Sequence, residues 1–384
     1  MSAPSKNNAD HGNRIAFLEG LRGTAILMVL FHHAVFIFSG LEAKSSFEIS
    51  IWKMSYNAAA GVDLFFLLSG FLITRILLKE KGSPGYYKNF YTRRMLRIFP
   101  LYYLYLAFAF LVIPLLPNLF WPPVRDSISP VWYFTYLANL KMFFDKIVPT
   151  YYLSHMWSLA IEEQFYLVWP FIIALFPLRT LKKILPAIIF FSLVTRLYLE
   201  GMIHASPWQI RIFTLARFDI LALGAWLAIL YGENLFTSLT GTTRKAVITA
   251  ACLLLVSFLS LLSGIYPRFK ESFSFSQTGI IFAYVMFFLF ASAENSITRK
   301  IFASKFLTAF GKYSYSIYLF HMGVGMTLSK IFLPMLKTYF PPLIICGAFF
   351  ILMSGISFGI GWITYHLYEI HFLKLKDKLA PVHS

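Results

Sequence analysis

Apolar runs of about 20 residues recur along this chain and constrain it more than any other feature. A run of that length holds a helix across a hydrocarbon core about 30 Å thick. A soluble fold has too little interior to hide so many of them. The composition agrees: 58% of the 384 residues are hydrophobic and 13% are charged, and the mean hydropathy is +0.66. The expected fold is all-α, a polytopic integral membrane helical bundle, with one domain over residues 1–384. Residues 1–22 are expected as a cytoplasmic N-terminal segment and residues 370–384 as a cytoplasmic tail. The polar start MSAPSKNNADHGNR carries no cleavable signal pattern, so the first run is expected to act as the anchor.

The runs place crossings near 23–39, 56–78, 100–116, 156–176, 184–199, 211–231, 246–264, 278–293, 313–333 and 342–368. Residues 40–55 read as a polar outer loop. Residues 79–99, KEKGSPGYYKNFYTRRMLRIF, read as an inner loop with six basic residues and one acid, and Pro100 reads as the start of the third crossing. Trp121-Pro-Pro marks the far interface. Residues 131–144 are short for a crossing and hold Asn139 and Lys141. Charge decides how to read them. If they re-enter, twelve later Lys and Arg fall inside and six outside; if they cross, the numbers swap, against the positive-inside rule. The expectation is therefore about ten transmembrane helices plus one re-entrant segment, a multi-pass protein of the cell membrane, with both termini cytoplasmic.

The formal net charge of +17 would suggest nucleic acid in a soluble chain. Here loop lysines and arginines that fix orientation account for it, so membrane lipids are expected as partners and nucleic acid is not. Cys252 and Cys346 both lie in apolar runs, with no disulfide framework and no metal-ligand spacing.

Within the first run, GLRGTAILMVLFHHA, Arg22 and His33 stand eleven residues apart. That is almost three helical turns, so both share a face, with about 16 Å of rise between them. His33 then lies near the middle of the bilayer, where an ionisable group is costly unless it faces a polar cavity. Asp63, in GVDLFFLLSGFL, lies about 10 Å into the second run by the same rise. Glu162 and Glu163, in WSLAIEEQFYLVWP, lie about 9 Å into the fourth. A histidine beside a carboxylate can draw a proton off a hydroxyl, the acid fixing the tautomer and balancing the imidazolium. The expected catalytic set is His33, Asp63 and Glu162. Taken singly, each would serve as well as a satisfied packing group. His32 points about 100° away from His33 and reads as structural. Ser158 is one turn from Glu162 and is placed to orient it.

A second constellation is basic. In TRRMLRIFP, Arg93 and Arg97 are one turn apart and Arg94 lies alongside. Guanidinium forks bind phosphate bidentately; taken alone, the cluster is equally a headgroup anchor. No Walker or Rossmann glycine-rich loop occurs, so a nucleotide-bearing donor would rest on these arginines. Arg217 and Asp219, in LARFDILALGA, read as an internal ion pair. His321, in YSYSIYLFHMG, reads as a packing or channel-lining residue, and Tyr102, Tyr103 and Tyr105 as an interfacial belt.

Six stretches, FLEGLRGTAILMVLFHHA, GVDLFFLLSGFLIT, FYTRRMLRIFP, HMWSLAIEEQFYLVWP, RFDILALGAWLA and YSYSIYLFHMG, occur together and in order. Through them the chain resembles the acyltransferase family 3 membrane proteins, bacterial enzymes that O-acylate cell-surface sugars, with eukaryotic relatives. The family's Arg, ten residues, then His falls on Arg22 and His33. Its Asp falls on Asp63, its arginine box on Arg93, Arg94 and Arg97, and its Ser-x-x-x-Glu on Ser158 and Glu162. Glu19 stands where many members have Asp. The resemblance implies acetyl-CoA or another acyl-CoA as donor substrate, with no bound cofactor, and a sugar or glycolipid hydroxyl as acceptor, reached from the outer face. On that reading Arg93, Arg94 and Arg97 hold CoA phosphates, Arg22 positions the donor, and His33 takes the acceptor's proton or an acyl group first. The competing expectation is a proton-coupled transporter or flippase of a lipid-linked saccharide, with the same buried groups as a proton relay. An inactive relative serving as a membrane partner is a third.

Overall fold

The computed structural model describes residues 6–37, 45–116, 128–149, 151–232, 279 and 297–381. It is 87% helix, with no strand among the described residues. The expected crossing at 246–264, all of that at 278–293 except residue 279, Cys252 and the Trp121-Pro-Pro interface lie outside those residues.

In chain order the helices are α1 (Lys6–Ile37), α2 (Ser46–Ala58), α3 (Gly61–Glu80), α4 (Tyr86–Ala107), α5 (Pro130–Phe134), α6 (Ala138–Phe144), α7 (Tyr151–Ser154) and α8 (Met156–Leu175). After them come α9 (Leu178–Gly201), α10 (Pro207–Ile212), α11 (Phe218–Gly232), α12 (Ile297–Phe302), α13 (Lys305–Lys312), α14 (Ser314–Tyr339), α15 (Pro342–Thr364) and α16 (Ile370–Leu379). By length and composition, six described stretches are long and apolar enough to cross a membrane: Ala16–Ile37, Ser46–Glu80, Tyr86–Leu115, Tyr152–Leu175, Leu178–Gly201 and Pro342–Leu379. Their outward faces carry Leu111, Leu167, Phe190, Phe191, Ile351 and Leu367, all exposed. Apolar side chains on that scale facing outward need an apolar solvent, which makes this a membrane protein.

Two stretches read as loops are helical. Residues 46–55, expected as part of a polar loop, lie in α2, because Ser45 and Glu48 make a reciprocal capping box. The basic stretch is not a loop either. Gly82 and Gly85 turn the chain with positive φ, and α4 starts at Tyr86 and carries all three arginines. Pro100 therefore sits inside α4 rather than at the start of a crossing. The stretch 131–144 comprises two short helices, α5 and α6, joined through Tyr136 at positive φ.

A close crossing of α3 and α11 ties the bundle together. On α3 and α11, a side chain at Gly70 would overlap the carbonyl of Leu221, and one at Gly224 that of Leu67. Only glycine lets these backbones approach so closely. Beside that crossing, Asp63 of α3 pairs with Arg217 just before α11, and Arg196 of α9 pairs with Asp219 of α11, all four fully buried. These two pairs link three helices, and the Asp219 charge, expected as the partner of Arg217, also acts favourably on it.

Polar side chains close the remaining seams. Asn139 of α6 donates to the Ile212 carbonyl and to Thr214 Oγ1, and Gln164 of α8 donates to Asn139 Oδ1 at 3.0 Å. Thr214 completes the ring by donating to Gln164 Oε1 at 2.6 Å. Each amide is satisfied, as burial requires. Lys81 ends α8 by donating to the carbonyls of Ile173 and Phe176.

Candidate active site

Two cavities lie back to back in the bundle, and both are lined by Val62 and Tyr318. The first, about 260 Å³, is walled by Arg22 of α1, Ser69 of α3, Arg94 and Arg97 of α4, and Ser158, Glu162, Glu163 and Tyr166 of α8. The second, about 360 Å³, is walled by His32 and His33 of α1, Tyr56 of α2, His155, Trp157 of α8, and Trp208 and Arg211 of α10.

In the first cavity three guanidiniums face two carboxyls, a positive excess suited to a phosphate or another anion. Glu162 accepts hydrogen bonds from Ser69 at 2.8 Å and from Tyr166 at 3.3 Å. Arg94 lies over the Tyr166 ring, 5.5 Å from its centroid. Arg93 turns away: it donates to the Ala380 carbonyl at 2.6 Å and pairs with Asp377 of α16 at 3.7 Å. Ser158 does not hold Glu162. Its Oγ lies 2.6 Å from the Tyr318 hydroxyl, and both hydroxyls bond the carbonyl of His155.

Four imidazoles form a row beside the second cavity, and of these His32, His33 and His155 line it. Ring centroids are 4.9 Å apart for His32 and His33, 4.9 Å for His33 and His321, and 5.1 Å for His321 and His155. His33 Nδ1 lies 3.0 Å from the Val29 carbonyl and 3.2 Å from His321 Nε2. His321 Nδ1 lies 2.6 Å from the Tyr318 carbonyl. His32 Nδ1 bonds the Ser55 carbonyl, and His155 Nε2 that of Leu319. Among the described residues no group of three or more His, Cys, Asp or Glu is arranged to hold a metal ion.

The residues expected together are therefore divided. Arg22, Arg94, Arg97, Ser158 and Glu162 meet in one cavity and His33 lines the other. Asp63 lines neither, being paired with Arg217. Depth along a helix was the common coordinate of His33, Asp63 and Glu162. Depth leaves the direction each side chain takes around its helix open, and Asp63 turns toward the start of α11. Tyr318, Ser69 and His155 lie inside the sequence motifs but carry no expected role there. A signal for Tyr318 and His321 was present: they are three apart on α14 and so share a face.

The fold is thus a helical membrane bundle whose interior polar groups converge on paired cavities. The chain belongs to the acyltransferase-3 family: the family model, described as an acyltransferase domain, matches residues 15–366. It is 29% identical over 330 residues to the peptidoglycan O-acetyltransferase OatA of Listeria monocytogenes, covering 79% of this chain and 48% of that protein. It is 29% identical over 326 residues to the O-acetyltransferase OatA of Staphylococcus aureus, covering 79% of this chain and 49% of that one. The chain spans about half the length of these curated relatives. No solved structure matches it.

Proposed function

We propose that this protein is an integral membrane O-acetyltransferase that moves an acyl group from cytoplasmic acyl-CoA to a hydroxyl of a cell-surface polysaccharide or lipid-linked sugar. The observation that carries the reading is the pair of cavities sharing Val62 and Tyr318, one lined by arginines and the other by histidines. Arg94 and Arg97 hold CoA phosphates at the inner face, and Arg22, deeper along α1, positions the acyl end. The sugar enters the second cavity from the outer face, against Trp157 and Trp208. His33 removes the acceptor proton as the hydroxyl oxygen bonds the acyl carbon. The carbon–sulfur bond breaks, and the CoA thiolate leaves and is protonated. The relatives' names, O-acetyltransferase and peptidoglycan O-acetyltransferase, support the acetyl group and a cell-wall sugar. Both termini lie in the cytoplasm on this reading, and residues 1–384 act as one domain.

The test uses the full chain in detergent. Saturating CoA is expected to raise the melting temperature, since a ligand at about 100 times its Kd stabilises the native state by roughly 2.7 kcal/mol. His33→Ala is expected to keep that shift and lose about 10²–10⁴-fold in acetyl transfer. Absence of any shift at saturating CoA would favour the transporter. A fully active His33→Ala would remove His33 from the chemistry.

A further inference from the structure

The sequence assigns the orientation of His33 to a carboxylate, yet both candidate acids are engaged elsewhere, Asp63 with Arg217 and Glu162 with Ser69 and Tyr166. The group at hydrogen-bond distance from His33 is His321 of α14, a fully buried imidazole. Its protonation follows from its neighbours. A backbone carbonyl only accepts, so His321 Nδ1, 2.6 Å from the Tyr318 carbonyl, carries a hydrogen. In the neutral ring Nε2 is then an acceptor. By the same argument His33 Nδ1, facing the Val29 carbonyl, carries a hydrogen, which it shares with His321 Nε2. The order along the chain of bonds is fixed: Tyr318 carbonyl, His321, His33. It leaves Nε2 as the basic nitrogen of His33, on a ring that lines the second cavity.

We propose that His321 is the positioning residue of the acyl transfer: its Nε2 accepts the His33 Nδ1 hydrogen, holds that ring in the tautomer whose Nε2 is free to take the acceptor's proton, and supports the imidazolium that results. The proposal rests on the reading of His33 as the base. The proton taken at His33 Nε2 makes that ring a cation, and the Nδ1–H bond to His321 strengthens as the charge forms. This is the work a buried carboxylate does in a Ser-His-Asp arrangement, performed here by a second imidazole anchored on a carbonyl. His155 stands behind it, its ring 5.1 Å from that of His321 and its Nε2 donating to the Leu319 carbonyl, and so closes the wall without reaching His33. His32 lacks the second support, since its Nδ1 meets only the Ser55 carbonyl among the described bonds.

Two amides separate positioning from packing. In His321→Gln the amide oxygen reaches where Nε2 was and still accepts from His33. In His321→Asn the amide reaches only where Nδ1 was, so the Tyr318 carbonyl keeps its donor and His33 loses its acceptor. Acetyl transfer by the full chain in detergent is expected to fall at least about 100-fold in kcat for His321→Asn, and to stay within about tenfold of wild type for His321→Gln. Acceptor KM and the CoA-induced melting shift are expected to move in neither. Equal loss in both amides with a lowered melting temperature would make His321 a packing residue and overturn the proposal. An Asn variant as active as wild type would overturn it too. Histidine-selective nitrogen-15 spectra of the wild type give a variant-free check: His33 protonated at Nε2 rather than Nδ1 would contradict it. If His33→Ala is inactive while His321→Asn is not, this inference fails and the transferase stands. If His33→Ala is fully active, the transferase mechanism itself fails.

Discussion

Arg93, Arg94 and Arg97 occupy little more than one turn of α4 and meet different surroundings. Successive residues on a helix point about 100° apart, so Arg94 and Arg97 line the first cavity while Arg93 reaches α16. The sequence showed a basic cluster and could not separate its members, because separating them needs to know which side of α4 the C-terminal helix covers. The structure does separate them, and kinetics should follow. A hydrogen bond to a charged group contributes about 1.5–3 kcal/mol, or roughly 10- to 150-fold in affinity. Arg94→Ala and Arg97→Ala are therefore expected to raise the KM for acyl-CoA within that range. Arg93→Ala should leave that KM within about twofold and instead expose residues 370–381 to protease. Steady-state kinetics on purified variants, with limited proteolysis alongside, measure both. A donor KM raised by Arg93→Ala as far as by Arg97→Ala would return Arg93 to the phosphate site.

The α3–α11 pair shows what the sequence revealed about elements and what it withheld. Apolar runs marked the long helices, because one stretch of about 20 apolar residues has few other solutions in a bilayer. Ser158 and Glu162 in one cavity were legible too, since both lie on one face of one helix. In α2 polar and apolar residues are too evenly mixed to mark a crossing, and only the Ser45–Glu48 spacing signals where the helix starts. The direction of Asp63 around α3 was beyond reach, since it depends on which helix packs there, and that is set by Gly70 and Gly224. With Asp63 and Arg217 both fully buried, removing one member of the pair weakens the charge balance of this desolvated cluster and costs about 3–5 kcal/mol. Asp63→Asn is expected to lower the melting temperature strongly. Asp63→Leu with Arg217→Met, which removes both charges, should regain most of the stability, and acetyl transfer should return with it. Thermal unfolding in detergent and an activity assay on the same samples decide the matter. An Asp63→Asn protein of wild-type stability with a collapsed kcat would make Asp63 a participant in the chemistry.

Across the whole molecule, the two cavities imply a direction. The arginine cavity opens among residues of α1, α4 and α8, the histidine cavity among α1, α2 and α10, and the two meet at Val62 and Tyr318. On the proposed function, the positive-inside rule puts the arginine end of α4 on the cytoplasmic side. A highly charged donor such as acyl-CoA does not cross a bilayer, so the proposed function requires the acyl group, and not the donor, to pass from one face to the other. Proteoliposomes with the protein in a single orientation test this. With acyl-CoA on the side of the α4 N-terminus and acceptor sugar on the other, acetylated sugar is expected to accumulate on the sugar's side. With both substrates on the side opposite the arginines, no product should form above that of empty vesicles. A proton-driven flippase would instead move unmodified saccharide when a pH gradient is imposed, with or without CoA. Product formed equally from donor on either side would mean that the cavities do not divide the substrates by face, and the division of labour between arginines and histidines would have to be abandoned.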